Sequence, residues 1–536
     1  MPVHAAAVAV VLTGAMLLLA ELIIHVSSTP HIPTLTDIVH DLRMVPGMNA
    51  TLYLKRSSLC TRGRNFASIY ITNATRNATG PPDVWFNAVV AIGPESDVET
   101  YSLVDGRAYY SISHNGTVLD VQCLPADQVP PLSLLMTSLA SATQVHDVFD
   151  SSYSWVHCDS TLDRIFQLQF AGEPYLVCIS STTNQLRAVI GQDIEMDVAY
   201  IANATDAPPI SIPQVPHSNT PLACPDIRNA IVSVNQPSNL PFDSYMALPA
   251  TTTQTTCTCQ GEAKPCLFVH GLGEQDVLNL STTFPSYWGN IQDHAPCCTT
   301  THFAHLDMVN QGWTNDLLQQ SFCDAVLAVS GGDNRTIGNL ILVAHSMGNL
   351  VAAAAVAAGK CHMVQGNITW VSLGGPMLGT PSANLIVELC QNELFSAISN
   401  AAQAFLGSCP AKAGRMSLLV ESPNDPARAA QYAQAQHVWT QFVTRAACGT
   451  SPVGLYTSYS PLLLSTAKLA SLTPANDGLV PWVSCTAAAL DPSAFDTTYT
   501  SPFYKAAVNH VDLTFRNSDG WWGADRKPIK WFECGL

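Results

Sequence analysis

Three side chains far apart in the chain have the types and order that nucleophilic catalysis needs: Ser346, then Asp477, then His510. Ser346 lies in "NLILVAHSMGNLVAAAAVAAG", residues 339–359. Leu340 to Val343 reads as a short buried strand and Asn349 to Ala358 as a helix of small residues. The serine is pinned between them, with Ala344 and Gly348 two residues to either side. Small flanks suit a strained strand-to-helix turn that lifts a nucleophile clear of a sheet. The plainer reading is a polar turn with Ser346 as helix N-cap. A nucleophilic serine needs a base, an orienting acid and donors for an oxyanion. "AAVNHVDLTF" offers His510 and "TPANDGLVPW" offers Asp477. "FVHGLGEQD" precedes the serine by about 75 residues, and its glycines let backbone N–H groups approach a ligand. Leu272 N–H and Met347 N–H are the candidate oxyanion donors. Each piece has an ordinary alternative: Asn-Asp-Gly is a common turn, and His510 could be a core histidine. The order of all four pieces is what argues for chemistry.

Such residues must sit at the ends of strands. After about residue 259 strands and helices alternate: "CLFV", "TTHFAHLDM", a helix over Asn315 to Val329, the serine strand, then "ITWVSLGG". That alternation predicts an α/β domain over 259–536, a mainly parallel sheet covered by helices. Residues from about Ser382 to Cys448 read as helical, with no strong strand, and are expected to form a cap or lid inserted about 382–448. Leu385, Ile386, Leu389, Leu394, Phe395 and Ile398 form apolar faces at helical spacing there. Before this domain, 33–201 reads as a β-rich accessory domain. It has hairpins around Asn115-Gly116 and Gly172, and a helix over Leu132 to Val148. A Pro/Thr-rich stretch, 206–258, reads as a mostly extended connector, with a short strand at Ile227 to Val234.

Composition limits the partners. The 536 residues carry a net charge of −17, which excludes nucleic acid as a natural ligand, and only 12% are charged. Ala5 to Ala20 is almost wholly apolar and reads as a signal peptide over 1–28, with an uncleaved anchor as the alternative. This implies a secreted or extracellular protein, or a lumenal or surface one if the anchor stays. The 17 cysteines fit an oxidising compartment, and the odd number leaves at least one unpaired within the chain. Cys60, Cys123, Cys158 and Cys178 are expected to pair among themselves, and Cys485 with Cys534. Eight N-x-Ser/Thr sites, at Asn49, Asn73, Asn77, Asn115, Asn203, Asn279, Asn334 and Asn367, are candidate glycosylation positions.

The stretches "FVHGLG", "YWGNI", "VAHSMGN", "NDGLV" with Cys485 soon after, and "NHVD" together resemble the α/β-hydrolase superfamily, and within it secreted bacterial triacylglycerol-type lipases. They span about Pro265 to Asp512, roughly half the chain. The resemblance implies hydrolysis of a lipid or other carboxylic ester through an acyl-enzyme on Ser346, with no cofactor. The same triad would also serve an acyltransferase or a glycolipid-anchor deacylase. A non-catalytic surface glycoprotein that binds lipid or a partner is the non-enzymatic alternative. Two departures stand out. The serine turn begins with Ala344 where the pattern has Gly. Asp512 matches a position that holds structural calcium in such lipases, but Pro452 to Asn476 contains no Asp or Glu to partner it, which makes a metal there doubtful.

Overall fold

A computed structural model describes residues 46–536 apart from 61–63, 74–85, 95, 131–137, 139–140, 146–162, 204–205, 207–208, 217, 219, 228–256, 392–408, 421–424 and 488–489. The signal segment, Asn77, Cys158, Leu394, Phe395, Ile398 and all but the first residue of the strand expected at Ile227 to Val234 lie outside the described residues. The chain divides into two compact units: Cys257–Asp519 with Asp525–Leu536, and the described residues before Cys257 with Gly520–Ala524.

Among the described residues the N-terminal unit is one antiparallel sheet of eleven strands. They are β1 (Gly47–Leu54), β2 (Phe66–Asn73), β3 (Phe86–Ile92), β4 (Asp97–Val104), β5 (Arg107–His114), β6 (Thr117–Cys123), β7 (Thr143–Val145), β8 (Asp163–Phe170), β9 (Glu173–Ser180), β10 (Leu186–Gly191) and β11 (Ile194–Ile201). Two meanders, β1 to β6 and β7 to β11, join where β1 pairs β11. The β5–β6 turn puts Asn115 at φ 47° and Gly116 at φ 77°, and the β8–β9 turn puts Ala171 at 51° and Gly172 at 76°. Both residues of each turn are left-handed, as a two-residue hairpin matched to strand twist requires. The helix expected over Leu132 to Val148 does not hold at its C-terminal end, where Thr143–Val145 pairs antiparallel with Asp163–Phe170 as an edge strand. Thr143 and Val145 are β-branched, and an edge pairing overrides the helical spacing.

The early part of the Pro/Thr-rich stretch belongs to this unit. Cys224 is bonded to Cys123, and Ile210, Ile212 and Leu222 pack with Val104 and Tyr109. The expected pairing of four cysteines among themselves is therefore corrected for Cys60 and Cys123. Cys123 takes Cys224, Cys60 is free, and Cys178 is disulfide-bonded.

Among its described residues the C-terminal unit holds seven strands: β12 (Lys264–Val269), β13 (Leu278–Ser281), β14 (Cys298–His305), β15 (Leu340–His345), β16 (Ile368–Leu373), β17 (Val443–Gly449) and β18 (Phe503–Ala506). Their order is β13-β14-β12-β15-β16-β17-β18, parallel throughout except for β13 at the edge. Its helices are α1 (Pro285–Trp288), α2 (Asp316–Ser330), α3 (Met347–Ala357), α4 (Pro381–Gln391), α5 (Ala413–Met416), α6 (Pro426–Phe442), α7 (Ser460–Leu469), α8 (Trp482–Cys485) and α9 (Pro528–Gly535). Successive strand residues face opposite sides. Leu267, Val269, Leu340, Leu342 and Trp370 pack in one core with α2, α3 and α6. From the other face Phe268 meets Phe303, Trp288 and Phe532 at ring centroid distances of 4.8, 5.3 and 6.0 Å. A parallel sheet needs this cover on both sides. Asn315 caps α2 by accepting from Leu317 N–H and Leu318 N–H, and Gly331 ends it in the left-handed region at φ 65°. Helix α3 is alanine-rich, and Met347 to Ala355 are all buried, because only small side chains let α2 and α6 pack so close.

Two expectations fail here. The segment Ser382 to Cys448 contains a strand: Val443–Gly449 is β17, paired in the sheet between β16 and β18, so the helical insertion ends at Phe442. "VTRAACG" is short and alanine-rich, and a strand buried on both faces shows no alternation. Cys485 pairs with Cys448 of β17, and Cys534 with Cys257. Helix α8 packs on β17, bringing the Cys448 and Cys485 Cα atoms to 5.8 Å, whereas nearness along the chain says nothing about distance in a folded sheet.

Candidate active site

Ser346 stands between β15 and α3 at φ 54°, ψ −128°, a conformation an L-residue adopts only when its surroundings impose it. The ties are visible. Ser346 N–H donates to the Leu373 carbonyl (2.8 Å) on β16. Asn349 Nδ2 donates to the Ala344 carbonyl (2.9 Å) and accepts, at Oδ1, from Trp370 Nε1–H (3.2 Å). The small flanks are required. A Cβ on Gly348 would lie 2.7 Å from the His270 carbonyl oxygen and 2.9 Å from that of Val269. Ala344 is fully buried, with a single methyl as its side chain.

The loop after β12 lies against the serine. A Cβ on Gly271 would meet Ser346 Cβ at 2.5 Å, so backbone alone fits there. His270 holds this loop from below. Leu306 N–H donates to His270 Nε2 (3.0 Å), which leaves Nδ1–H to donate to the Gly271 carbonyl (2.9 Å). Burial holds its pKa down at about 4. Leu272 follows Gly271 in this loop. Met347 opens α3, and a first-turn amide has no acceptor inside its own helix.

Asp477 and His510 meet directly. His510 Nδ1 is 2.7 Å from Asp477 Oδ2, while Asp477 Oδ1 accepts from Leu479 N–H (3.0 Å) and Val480 N–H (2.7 Å). His510 N–H also donates to the Asp477 carbonyl (2.8 Å). The pair is buried above the ends of β16 and β17. A Cβ on Gly374 would be 3.2 Å from His510 Nδ1, and one on Gly449 would be 2.6 Å from Asp477 Cβ. The serine follows β15, the Gly271 loop follows β12 and His510 follows β18, so every piece gathers at the carboxyl ends of parallel strands.

Sequence reasoning missed the residues that support this group. Tyr287 of α1 lies 2.7 Å from both Gly271 N and His345 Nδ1 through its hydroxyl. His345 Nε2 is 3.0 Å from the His510 carbonyl oxygen, and the two rings are 4.6 Å apart. Asn509 Oδ1 accepts from Val511 N–H and Asp512 N–H, both at 2.9 Å, shaping the turn that presents His510. Tyr287, His345 and Asn509 each lie inside a quoted motif, but nothing in a motif distinguishes a supporting side chain from a packing one.

Asp512 does not fit a calcium ligand. Its Oδ2 accepts from Leu455 N–H (2.8 Å) and Asn509 N–H (2.9 Å), and its Oδ1 from Asn517 Nδ2 (2.7 Å). Full burial pushes its pKa up to about 6 against the pull of these donors and of Arg526. The carboxylate clasps the loop after β17 to the loop after β18. Among the described residues no group of three or more His, Cys, Asp or Glu could hold a metal.

Of the candidate glycosylation positions, Asn115, Asn203, Asn279 and Asn334 are exposed, while Asn49 and Asn367 are half-buried. Asn73 ends β2, with its side chain outside the described residues.

No family model and no curated protein sequence matches the chain. Solved structures similar to it include phospholipase PlaB from Legionella pneumophila (12% identity, TM-score 0.27, 41% of this chain and 45% of that one). The chain thus spans less than half of that phospholipase. Others are lipase 1 from Pelosinus fermentans (14%, TM-score 0.29, 51% and 97%) and haloalkane dehalogenase DbeA from Bradyrhizobium elkani (15%, TM-score 0.23, 40% and 80%). Likeness at this level assigns no activity, and the chemistry must be read from the side chains themselves.

Proposed function

We propose that the C-terminal unit is an α/β-hydrolase that cleaves a carboxylic ester, with a lipid ester as the favoured class. The single observation that supports it is the 2.7 Å bond between His510 Nδ1 and Asp477 Oδ2, at the same sheet edge as a serine held at φ 54°. Ser346 Oγ attacks the ester carbonyl as His510 Nε2 takes its proton. The tetrahedral oxyanion accepts from Leu272 N–H and Met347 N–H. The intermediate collapses to an acyl-enzyme, and His510 returns the proton to the leaving alcohol. Water then repeats the cycle and frees the acid. Asp477 keeps the proton of neutral His510 on Nδ1 and stabilises the imidazolium that forms.

The protein is also proposed to be secreted and glycosylated. Seven disulfides among the described residues suit an oxidising compartment, and no helix among those residues is long and apolar enough to cross a membrane. A fluorophosphonate probe tests the activity. Purified wild-type protein should be labelled on the Ser346 peptide and should hydrolyse p-nitrophenyl esters. Absence of both would refute the reading. Product analysis with and without an alcohol acceptor distinguishes hydrolysis from acyl transfer.

A further inference from the structure

We propose that Tyr287 and His345 are positioning residues that lock the loop of the oxyanion donor to the loop of the base; the proposal rests on the ester-hydrolase reading. The hydrogen bonds between them run in one direction only. The His510 carbonyl oxygen, 3.0 Å from His345 Nε2, can only accept, so Nε2 carries the proton. Burial, and then the neighbouring His510, hold the His345 pKa well below its ordinary value, so the ring is neutral and Nδ1 is an acceptor. The hydroxyl of Tyr287, 2.7 Å away, must then donate to Nδ1. That commits the only proton of the hydroxyl, so its oxygen accepts from Gly271 N–H, also at 2.7 Å. Every donor in the series has one acceptor, and reversing any bond would leave two donors or two acceptors facing each other.

Two consequences follow for the site. Gly271 N–H is bound to Tyr287 and is not free to meet an oxyanion, which leaves the next amide, that of Leu272, for that role. The base loop and the donor loop, which follow opposite flanks of the sheet, are held to one geometry through the residue that precedes the nucleophile. Three loops that must agree within about 0.5 Å are thereby set by one chain of bonds. The Tyr287 ring is well held for this purpose, 5.7 Å from the His345 ring and 5.2 Å from the guanidinium of Arg516.

Tyr287→Phe keeps the ring and removes the hydroxyl. It should lower kcat on a soluble p-nitrophenyl ester by about 10- to 100-fold with KM changed little, because misplacing reacting groups costs turnover more than binding. His345→Leu removes both the donor to the His510 carbonyl and the acceptor of the tyrosine proton, so it should fall in the same range or below. The double variant should be no slower than the worse single variant, since both break one series of bonds. Nitrogen NMR of the histidines supplies a readout independent of turnover. His345 should be neutral with its proton on Nε2 at pH 6, and its Nδ1 resonance should move in Tyr287→Phe. Effects that multiply in the double variant, a kcat for Tyr287→Phe within twofold of wild type, or a His345 proton on Nδ1 would each overturn the proposal. If wild-type protein cleaves no ester and Ser346 stays unlabelled, the hydrolase reading fails first and this one with it. An active wild type with an unaffected Tyr287→Phe sinks the positioning role alone.

Discussion

Asp477 shows how much one oxygen can decide. Its Oδ1 accepts two backbone N–H groups, from Leu479 and Val480. In Asp477→Asn the amide oxygen must stay at that position, because an NH2 there would face two donors. The amide nitrogen then points at His510 Nδ1, which has to accept, so the imidazole proton moves to Nε2 and the base is lost. The fold should keep its stability while kcat falls by about 10⁴. Ser346→Ala should abolish turnover and fluorophosphonate labelling with the melting temperature little changed. A retained rate in either variant would sink the assigned roles. His270 gives a prediction about pH. Its pKa is about 4 in the folded protein against an ordinary 6.5, so between these values the unfolded chain binds a proton that the native one does not. Stability is therefore complete above pH 6.5 and falls as the pH drops toward 4, by about 3 kcal/mol from this group alone, and His345 acts in the same direction. Chemical denaturation across that range should give a shallower slope for His270→Asn than for wild type. Equal slopes would mean that His270 is not held neutral. Ser346, Asp477 and His510 were legible as candidates, because their order and the small flanks of the serine turn are sequence properties. Tyr287 and His345 were not, because their role lies in bonds between loops that only folding brings within 3 Å of each other.

The strands on which these loops sit were mostly readable, and the exceptions are physical. β14 carries polar threonines in its first half, whereas β12, β15 and β16 announce themselves as apolar runs ending in turns. β17 does not, since its alanines and Cys448 are small enough to be buried on both faces without any pattern. The serine helix depends on a single glycine. Gly348→Val would drive side-chain atoms into the carbonyls of His270 and Val269, which are backbone and cannot swing away. It should cost about 2 kcal/mol or more in stability and reduce activity further by shifting the Gly271 loop, whereas Gly348→Ala should cost less. Thermal unfolding and kcat measured on the two variants check the order. With β17 assigned to the sheet, the candidate lid shrinks to the stretch from α4 to the end of α6. Ile386 of α4 is buried and Leu389 is half-buried, so this helix faces both ways. If it opens at a lipid surface, activity on an insoluble long-chain ester should rise sharply once an interface forms, and Leu389→Ser should weaken that rise more than the rate on a soluble ester. A smooth dependence on monomer concentration would make α4 simple packing.

At the scale of the whole chain, every described disulfide stays within one unit. Cys123–Cys224 closes the β unit, and six bridges lie in the other. The division was legible in the change from hairpins to alternating strands and helices. Its boundary was not, because a Pro/Thr-rich stretch reads as a linker even where Cys224 anchors one end to the sheet and Cys257 and Cys259 anchor the other. Cys257–Cys534 spans 277 positions, the longest separation of the seven, and fastens the last helix to the entrance of the unit. On the chain-entropy account a closure of that length restrains the unfolded state by about 6 kcal/mol, compared with about 3 for the 19-position loop of Cys390–Cys409. Bridges confined to separate units should let the units unfold in separate calorimetric transitions. The double variant Cys257→Ala/Cys534→Ala should then lower the transition of the C-terminal unit by many degrees and leave that of the β unit in place. Activity below the lowered transition should persist, because neither cysteine lies in the loops that carry Ser346, Asp477 or His510. A single transition in the wild type, or an equal shift of both in the double variant, would mean that the two units melt as one body and that this bridge stabilises the whole chain.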